Sequence, residues 1–421
     1  MHFLSSLHSF LWGIPMIALI VLTGLYLTVL SRFYQLRKII PIFRKTIFNI
    51  KKKTSAGVSS YSALLCALAG TIGTGNIVGV SAAIAIGGAG ACFWMWVSAF
   101  FGMMIKFYEI YLSVAFRTRG KKGEFLGGPM YFLQNGLNSK FLAVFYAFTL
   151  VLASFGMGNM AQVNSISQSL SNFIPTHVTG VIVAITVALV ILGGLKRIAG
   201  FMEKFVPIMT LLYFAGTVIV IVANWSSLPE IFSGIMKSAF DLRAILGGGA
   251  FLAMKQGFSK GIFSNEAGLG SSAIIHSAAD CESAEAASMW GIIEVVLDTF
   301  VICTLTAIVI LSTDIVTVNN YGAMAVVECF NSTLNGLGAI VPLSLIFFAF
   351  GSIITWSFYG ERGVAYLTGG RAAFLYRLLF VVVIVIGAVI PYENVLLISE
   401  VFNGLMLVPN LLGVILLSER V

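Results

Sequence analysis

The chain has 421 residues, 58% of them hydrophobic and only 10% charged, with a formal net charge of +8. A soluble domain carries about 25% charged residues, so this chain cannot cover a water-facing surface, and the two or three soluble domains its length would suggest are excluded. Nucleic-acid binding is excluded too, because the Lys and Arg residues sit in short loops between apolar runs and build no basic face on a soluble domain.

Backbone groups in hydrocarbon must pair within their own segment, so apolar runs of about 20 residues read as helices that span a core about 30 Å thick. Porin-type alternation is absent. In chain order, eleven runs qualify: 9–30, 59–88, 91–116, 140–170, 178–195, 202–223, 247–270, 286–312, 339–360, 371–391 and 394–418. The first run lacks a positively charged lead and is too long for a signal-peptide core, so it reads as a retained span. A polar, partly helical stretch at 225–246 and a loop at 313–338 interrupt the series.

The basic residues set the expected orientation. The 31–58 loop holds Arg32, Arg37, Lys38, Arg44, Lys45, Lys51, Lys52 and Lys53 with no acid. The 117–139 loop adds Arg117, Arg119, Lys121 and Lys122, and the 196–204 turn adds Lys196, Arg197 and Lys204. Loops on the other side carry Lys237 and Arg243. Basic loops favour the cytoplasm, so a multi-pass cell-membrane protein is expected, with its N-terminus outside and its C-terminus, bearing Arg420, inside. The predicted architecture is all-α and integral to the membrane. Residues 1–58 form an extra N-terminal transmembrane helix and a basic cytoplasmic loop; residues 59–223 and 247–418 form two repeats of five spans. Five is odd, so the repeats must be inverted relative to each other.

Each repeat opens on a glycine-rich span. The first reads Ala69-Gly70-Thr71-Ile72-Gly73-Thr74-Gly75-Asn76-Ile77-Val78-Gly79. Glycine costs about 1 kcal/mol in a helix interior, and three glycines in six residues predict local unwinding. The freed N–H groups suit a carboxylate and the freed C=O groups a cation. Thr71 and Asn76 are polar at lipid depth, which calls for a purpose. The bland alternative is close helix packing, because Gly75 and Gly79 have the GxxxG spacing. The second break runs from Lys255 to Ser272, with Gly257, Gly261, Gly268 and Gly270. There Phe258 and Ile262, four apart, line one side as a wall for a small apolar side chain. Lys255, Lys260 and Glu266 should face protein or water, or snorkel to an interface.

Other polar residues are weaker candidates. Gln162 either bonds a substrate's amino or carboxylate group or makes a plain interhelical hydrogen bond. Trp356 caps a pocket or simply packs. Glu294 and Asp298 share a helix face, as do Glu400 and Asn403, and Lys106 with Glu109 has ion-pair spacing. Bonded structural pairs compete with a proton or cation role for Glu294 and Asp298. His2, His8, His177 and His276 show no metal or triad spacing and read as solvated. Cys66, Cys92, Cys281, Cys303 and Cys329 are widely spaced and read as free thiols, with no metal site or disulfide. No Walker loop, H-E-x-x-H or Ser/His constellation is present, which argues against ATP-driven transport and an intramembrane enzyme. A channel built on symmetric selectivity rings fits a chain with paired broken spans poorly.

The run from Gly73-Thr74-Gly75-Asn76, the loop Gly127-Gly128-Pro129-Met130-Tyr131-Phe132 and the run Ser264-Asn265-Glu266-Ala267-Gly268-Leu269-Gly270-Ser271 resemble the alanine/glycine:cation symporter family, from about Tyr61 to Leu417. That family is similar to the five-plus-five inverted-repeat transporters of the amino acid–polyamine–organocation superfamily. The resemblance implies symport of a small neutral amino acid, alanine or glycine, with Na⁺ (H⁺ in some members) by alternating access. A symporter for serine or proline is the alternative. No cofactor beyond Na⁺ as coupling ion is implied, the partners are substrate, Na⁺ and the bilayer, and the oligomeric state stays open. By the same resemblance, the Thr74 and Gly75 amides hold the substrate carboxylate, with the Thr71 carbonyl and Asn76 side chain nearby, beside a possible ion site. Phe258, Ile262 and Phe263 enclose the side chain, with Gln162 and Trp356 completing the pocket. The Ala69 and Ile72 carbonyls face a Na⁺ whose other ligands come from Ser352 and Thr355. Gly351 stands where related folds have a hydroxyl, which removes one candidate ligand.

Overall fold

The computed structural model describes residues 2–48, 58–120, 123–240, 249–390 and 392–421. Lys51, Lys52, Lys53, Lys121, Lys122 and Arg243 lie outside them. The chain is 82% helical, and every apolar run predicted above coincides with a helix. In chain order these are α1 (Ser6–Leu30), α2 (Ser60–Thr71), α3 (Val78–Gly87), α4 (Gly90–Ala115), α5 (Lys140–Leu170), α6 (Thr176–Ile191) and α7 (Gly194–Ala223). They continue with α8 (Leu228–Ala239), α9 (Gly249–Asn265), α10 (Ser271–Ala278), α11 (Ala284–Leu311), α12 (Ala323–Thr333), α13 (Ile340–Thr368), α14 (Ala373–Gly387) and α15 (Tyr392–Leu417).

Among the described residues seven helices are long and apolar enough to cross a membrane, or eight when the bent pair α2–α3 counts as one span. The α6 and α14 helices have 16 and 15 residues. At 1.5 Å rise per residue they fall short of a full hydrocarbon core. The 313–338 segment, expected as a loop, contains helix α12. The Gly127–Phe132 motif, also expected as a loop, enters a short helix at Pro129 (Pro129–Asn135), where proline's missing N–H is harmless.

The two broken helices lie side by side and antiparallel: α2 packs on α10, and α3 packs on α9. Helix α4 covers α9 and α11, while α13 spans α2, α5 and α7. Strand β1 (Val58–Ser59) pairs in parallel with a second strand (Ala279–Asp280). Arg117 donates to the carbonyls of Ser277 (3.1 Å) and Ala279 (2.8 Å). Ser62 donates to Glu203. The ends of all three basic loops therefore gather at one end of the molecule.

Glycines set the closest of these contacts. Gly257 and Gly261 lie in the body of α9, not in its break, and press on α4. A Cβ at Gly257 would sit 2.4 Å from the Ala91 carbonyl oxygen, and one at Gly261 would sit 2.1 Å from Ser98 Oγ. A Cβ at Gly79 would meet nothing within 4 Å, so the Gly75/Gly79 spacing does not mark a packing seam. Replacing Gly257 with Val should cost about 1–3 kcal/mol through overpacking and lower the melting temperature of the purified protein. Gly79→Ala should melt at or above the wild type, because about 1 kcal/mol of helix propensity is gained against no clash. Equal melting of the two variants would contradict the α4–α9 contact.

Candidate functional site

The first break begins where α2 ends at Thr71. Ile72 turns to an extended conformation (φ −72°, ψ 100°), and a 3-10 turn over Thr74–Asn76 leads into α3. The axis bends by 63° across these residues. The first N–H groups of a helical turn have no intrahelical acceptor, which leaves the Thr74 and Gly75 amides at the opening of the turn. The Gly73 amide is taken by Asn76 Oδ1 at 2.9 Å.

The second break separates α9 from α10. Glu266 (φ 56°), Gly268 (φ 96°) and Gly270 (φ 71°) all lie in the left-handed region. Glycine adopts it freely, whereas a glutamate there is strained and must be held by its surroundings. Tyr146 donates to the Leu269 carbonyl (2.8 Å), and Asn410 Nδ2 donates to that of Gly268 (2.7 Å). The unwound carbonyls are thus met by side chains from α5 and α15.

A small cavity lies between the breaks. Residues Gly70, Thr71, Gly73, Thr74 and Gly75 line it from the first break, and Phe263 and Glu266 from the second. Met157 and Gln162 reach it from α5 and Trp356 from α13. Of the nine residues expected around a substrate, Thr71, Thr74, Gly75, Gln162, Phe263 and Trp356 meet here. Gln162 Nε2 donates to the Met157 carbonyl (3.2 Å), and its Oε1 is buried without a hydrogen-bond partner. Met157 and Gly158 belong to a π-helical segment of α5 (Gly156–Met160), a feature often found at functional sites. A Cβ at Gly158 would sit 2.3 Å from Trp356 Cβ, so this glycine lets α5 and α13 close against each other.

Asn76, Phe258 and Ile262 are not in the cavity wall. Phe258 and Ile262 do share a face, but Phe258 packs on Trp94 of α4, with ring centroids 5.7 Å apart, and Phe263 is the residue that α9 turns inward. Asn76 points behind the break. Its Nδ2 donates to Asp298 Oδ1 (2.7 Å) and Ser264 Oγ (2.9 Å). Asp298 also accepts from Ser264 Oγ (2.8 Å) and Thr299 Oγ1 (2.9 Å). One carboxylate thus ties both broken helices to the π-helical segment Val296–Cys303 of α11.

Of the residues expected around a Na⁺, Ala69 and Ser352 meet directly, while Thr355 bonds Cys66 instead. Ser352 Oγ donates to the Ala69 carbonyl (3.0 Å), and Thr355 Oγ1 donates to that of Cys66 (3.0 Å). These hydroxyls of α13 face the last turn of α2, where Ile72 follows as its C-cap. A Cβ at Gly351 would sit 3.3 Å from Ala69 Cβ, so the glycine adjoins the same carbonyls.

Sequence spacing misassigned several buried charges. Lys106 pairs with Glu294 (2.6 Å) and Ser272 Oγ (2.7 Å), not with its helix neighbour Glu109. Glu109 accepts instead from Asn410 Nδ2 (2.5 Å). His276, expected to be solvated, is buried, with Nε2 3.4 Å from Glu294 Oε2. Glu294 and Asp298, one turn apart, serve different neighbours. Glu400 pairs with His8 (2.5 Å). All five cysteines are free.

The model of the sodium:alanine symporter family matches residues 1–421. A transporter of Haemophilus influenzae described as uncharacterized is 41% identical, over 98% of this chain and 92% of its own length. The sodium/alanine symporter AgcS of Methanococcus maripaludis is 38% identical, over 98% of this chain and 94% of its own. A probable sodium/glutamine symporter, GlnT of Bacillus subtilis, is 32% identical over 100% and 89%. Among solved structures, a manganese transporter of Eremococcus coleocola shares the fold, with a TM-score of 0.57 at 14% identity over 83% of this chain and 75% of that one. With a full-length family match and relatives that are transporters rather than enzymes, this chain belongs to the sodium:alanine symporter family and is a multi-pass, cation-coupled amino acid symporter.

Proposed function

We propose that this symporter couples uptake of alanine or glycine to Na⁺ by alternating access, through eleven spans arranged as an N-terminal helix and two inverted five-span repeats. The observation that carries the reading is the pair of antiparallel helix breaks that open onto one small cavity. The Thr74 and Gly75 amides take the substrate carboxylate beside the Thr71 carbonyl, and Gln162 bonds the other polar end. Phe263, Trp356 and Met157 leave room for a small side chain only, and larger substrates clash. Na⁺ sits against the carbonyls of Ala69 and Ile72, with Ser352 and Thr355 as hydroxyl ligands. Hard oxygen donors of this kind suit a hard cation.

Asn76 supports the first break from behind rather than touching substrate. The Asp298 carboxylate it bonds, with Ser264 and Thr299, is a second cluster of oxygens next to the cavity. The N-terminus is placed outside and the C-terminus in the cytoplasm, an orientation supported by the basic loops gathering at one end. Coupling then requires that Na⁺ bind one orientation of the breaks more tightly than the other.

Three measurements test this. In proteoliposomes, labelled alanine and glycine should accumulate under an imposed Na⁺ gradient and not under a pH gradient without Na⁺. Serine and proline serve as competitors, and accumulation driven by pH alone would reassign the ion. Ser352→Ala and Thr355→Ala should each raise the Na⁺ concentration for half-maximal uptake about tenfold, the effect of losing about 1.4 kcal/mol of binding. Unchanged Na⁺ dependence in both would remove the hydroxyls from the site. Third, Asn76→Ala leaves a buried carboxylate short of a donor at a cost of about 1–3 kcal/mol. It should abolish Na⁺-driven uptake while the protein still purifies as a folded species; normal uptake would separate the Asn76–Asp298 bond from transport.

A further inference from the structure

The cavity holds one ionisable side chain, Glu266. It is buried at 4% exposure and forced into the left-handed region at φ 56°. Ser271 Oγ donates to its Oε2 at 2.5 Å, and Trp356 flanks the same carboxylate. No cation is within ion-pair distance of it among the described residues. The nearby Lys106 ammonium is already committed to Glu294 at 2.6 Å and Ser272 at 2.7 Å. Glu109 and Glu294 are buried in the same region, so carboxylates around Lys106 outnumber its single fixed charge. A buried carboxylate without a cationic partner is costly, and at membrane depth an ionisable residue marks a site. A second, independent feature points into the same cavity: Gln162 Oε1, an acceptor with no donor, also buried.

An α-amino acid brings what this wall lacks. Its ammonium group supplies positive charge and three N–H donors. The corresponding α-hydroxy acid supplies a neutral hydroxyl with a single donor. The carboxylate end of either molecule has the Thr74 and Gly75 amides across the cavity.

We propose that the Glu266 carboxylate, together with Gln162 Oε1, receives the substrate's α-ammonium group and makes the cavity select α-amino acids over α-hydroxy acids. This rests on the amino acid reading of the cavity and fixes which way round the zwitterion lies. Glu266 is then a specificity determinant, and its strained backbone is the means by which its carboxylate is held at the cavity rather than out along α10.

The test is the ratio of affinities for L-alanine and L-lactate, measured by calorimetric titration or ligand-induced thermal shift on the purified full-length protein in Na⁺. The wild type should favour alanine by at least about thirtyfold, the equivalent of about 2 kcal/mol for an unpaired buried charge. Glu266→Gln should lower alanine affinity without a matching loss for lactate, so that the ratio falls by about tenfold or more. Ser271→Ala keeps the carboxylate and removes only its hydroxyl donor, and it should keep the wild-type ratio. A merely structural role for Glu266 would weaken both ligands together and leave the ratio unchanged, which overturns the assignment. If Glu266→Gln does not fold, the wild-type ratio and that of Gln162→Leu decide. Lactate binding within threefold of alanine in the wild type, or an unchanged ratio in Gln162→Leu, overturns it equally. A wild type that binds no amino acid overturns the transport reading instead, and with it this one.

Discussion

A backbone that leaves helical geometry inside hydrocarbon must find new partners for every N–H and C=O it frees. The organisation of this protein follows from meeting that demand twice. At the first break, Asn76 turns back to bond the Gly73 amide, and the last carbonyls of α2 accept hydroxyls from α13. At the second, Tyr146 and Asn410 meet the carbonyls of Leu269 and Gly268. Apart from Asn76, which belongs to the break itself, these partners come from α5, α13 and α15, so the breaks fix where those helices stand. What remains unclaimed, the Thr74 and Gly75 amides and the Gln162 oxygen, faces the cavity.

The same constraint explains why charges lie so deep. Lys106, Glu109, Glu266, Glu294 and Asp298 are all buried, and most hold the unwound segments or their flanks. Asp298 joins Asn76 to Ser264, one residue from each broken helix. Lys106 joins α4 to α11 and to Ser272 in the first turn of α10. A buried ion pair is poor at adding stability, but breaking one leaves an uncompensated charge at a cost of about 3–5 kcal/mol. Such links therefore act as registers, in which the breaks are correctly seated or the structure loses several kcal/mol.

Composition made the helical, membrane-spanning character legible, because length and apolarity suffice to find such segments, but not which of them reach the thickness of a bilayer: seven or eight do among the described residues. The first break was legible for the same local reason, with Gly70, Gly73 and Gly75 packed into six residues. The second was misjudged in detail. Four glycines looked equivalent, yet Gly257 and Gly261 serve close packing on α4 while Gly268 and Gly270 carry the positive φ angles. Helical spacing grouped Phe258 with Ile262 correctly but says nothing about which neighbour that face meets. The partners of Lys106, His276 and Asn76 lie on other helices, 188 residues away for Lys106 and Glu294, and no local pattern encodes them. Glu266 and Met157 were missed because a strained turn and a π segment turn their side chains where an ideal helix would not.

The two oxygen clusters beside the cavity suggest how ion and substrate become coupled. The Ser352 and Thr355 hydroxyls donate to the carbonyls of Ala69 and Cys66, so α13 is attached to α2 through groups that the proposed Na⁺ would also use. An ion there replaces two neutral hydrogen bonds, each worth about 1 kcal/mol net, with direct coordination of a charge, and it does so only while α13 and α2 remain in register. The Thr74 and Gly75 amides begin three residues beyond Thr71, on the far side of the 63° bend. Seating the proposed ion would then fix one side of the hinge, and seating the proposed substrate would fix the other. Each ligand would lower the cost of ordering the break for the other, which is positive linkage of the reciprocal kind that symport requires.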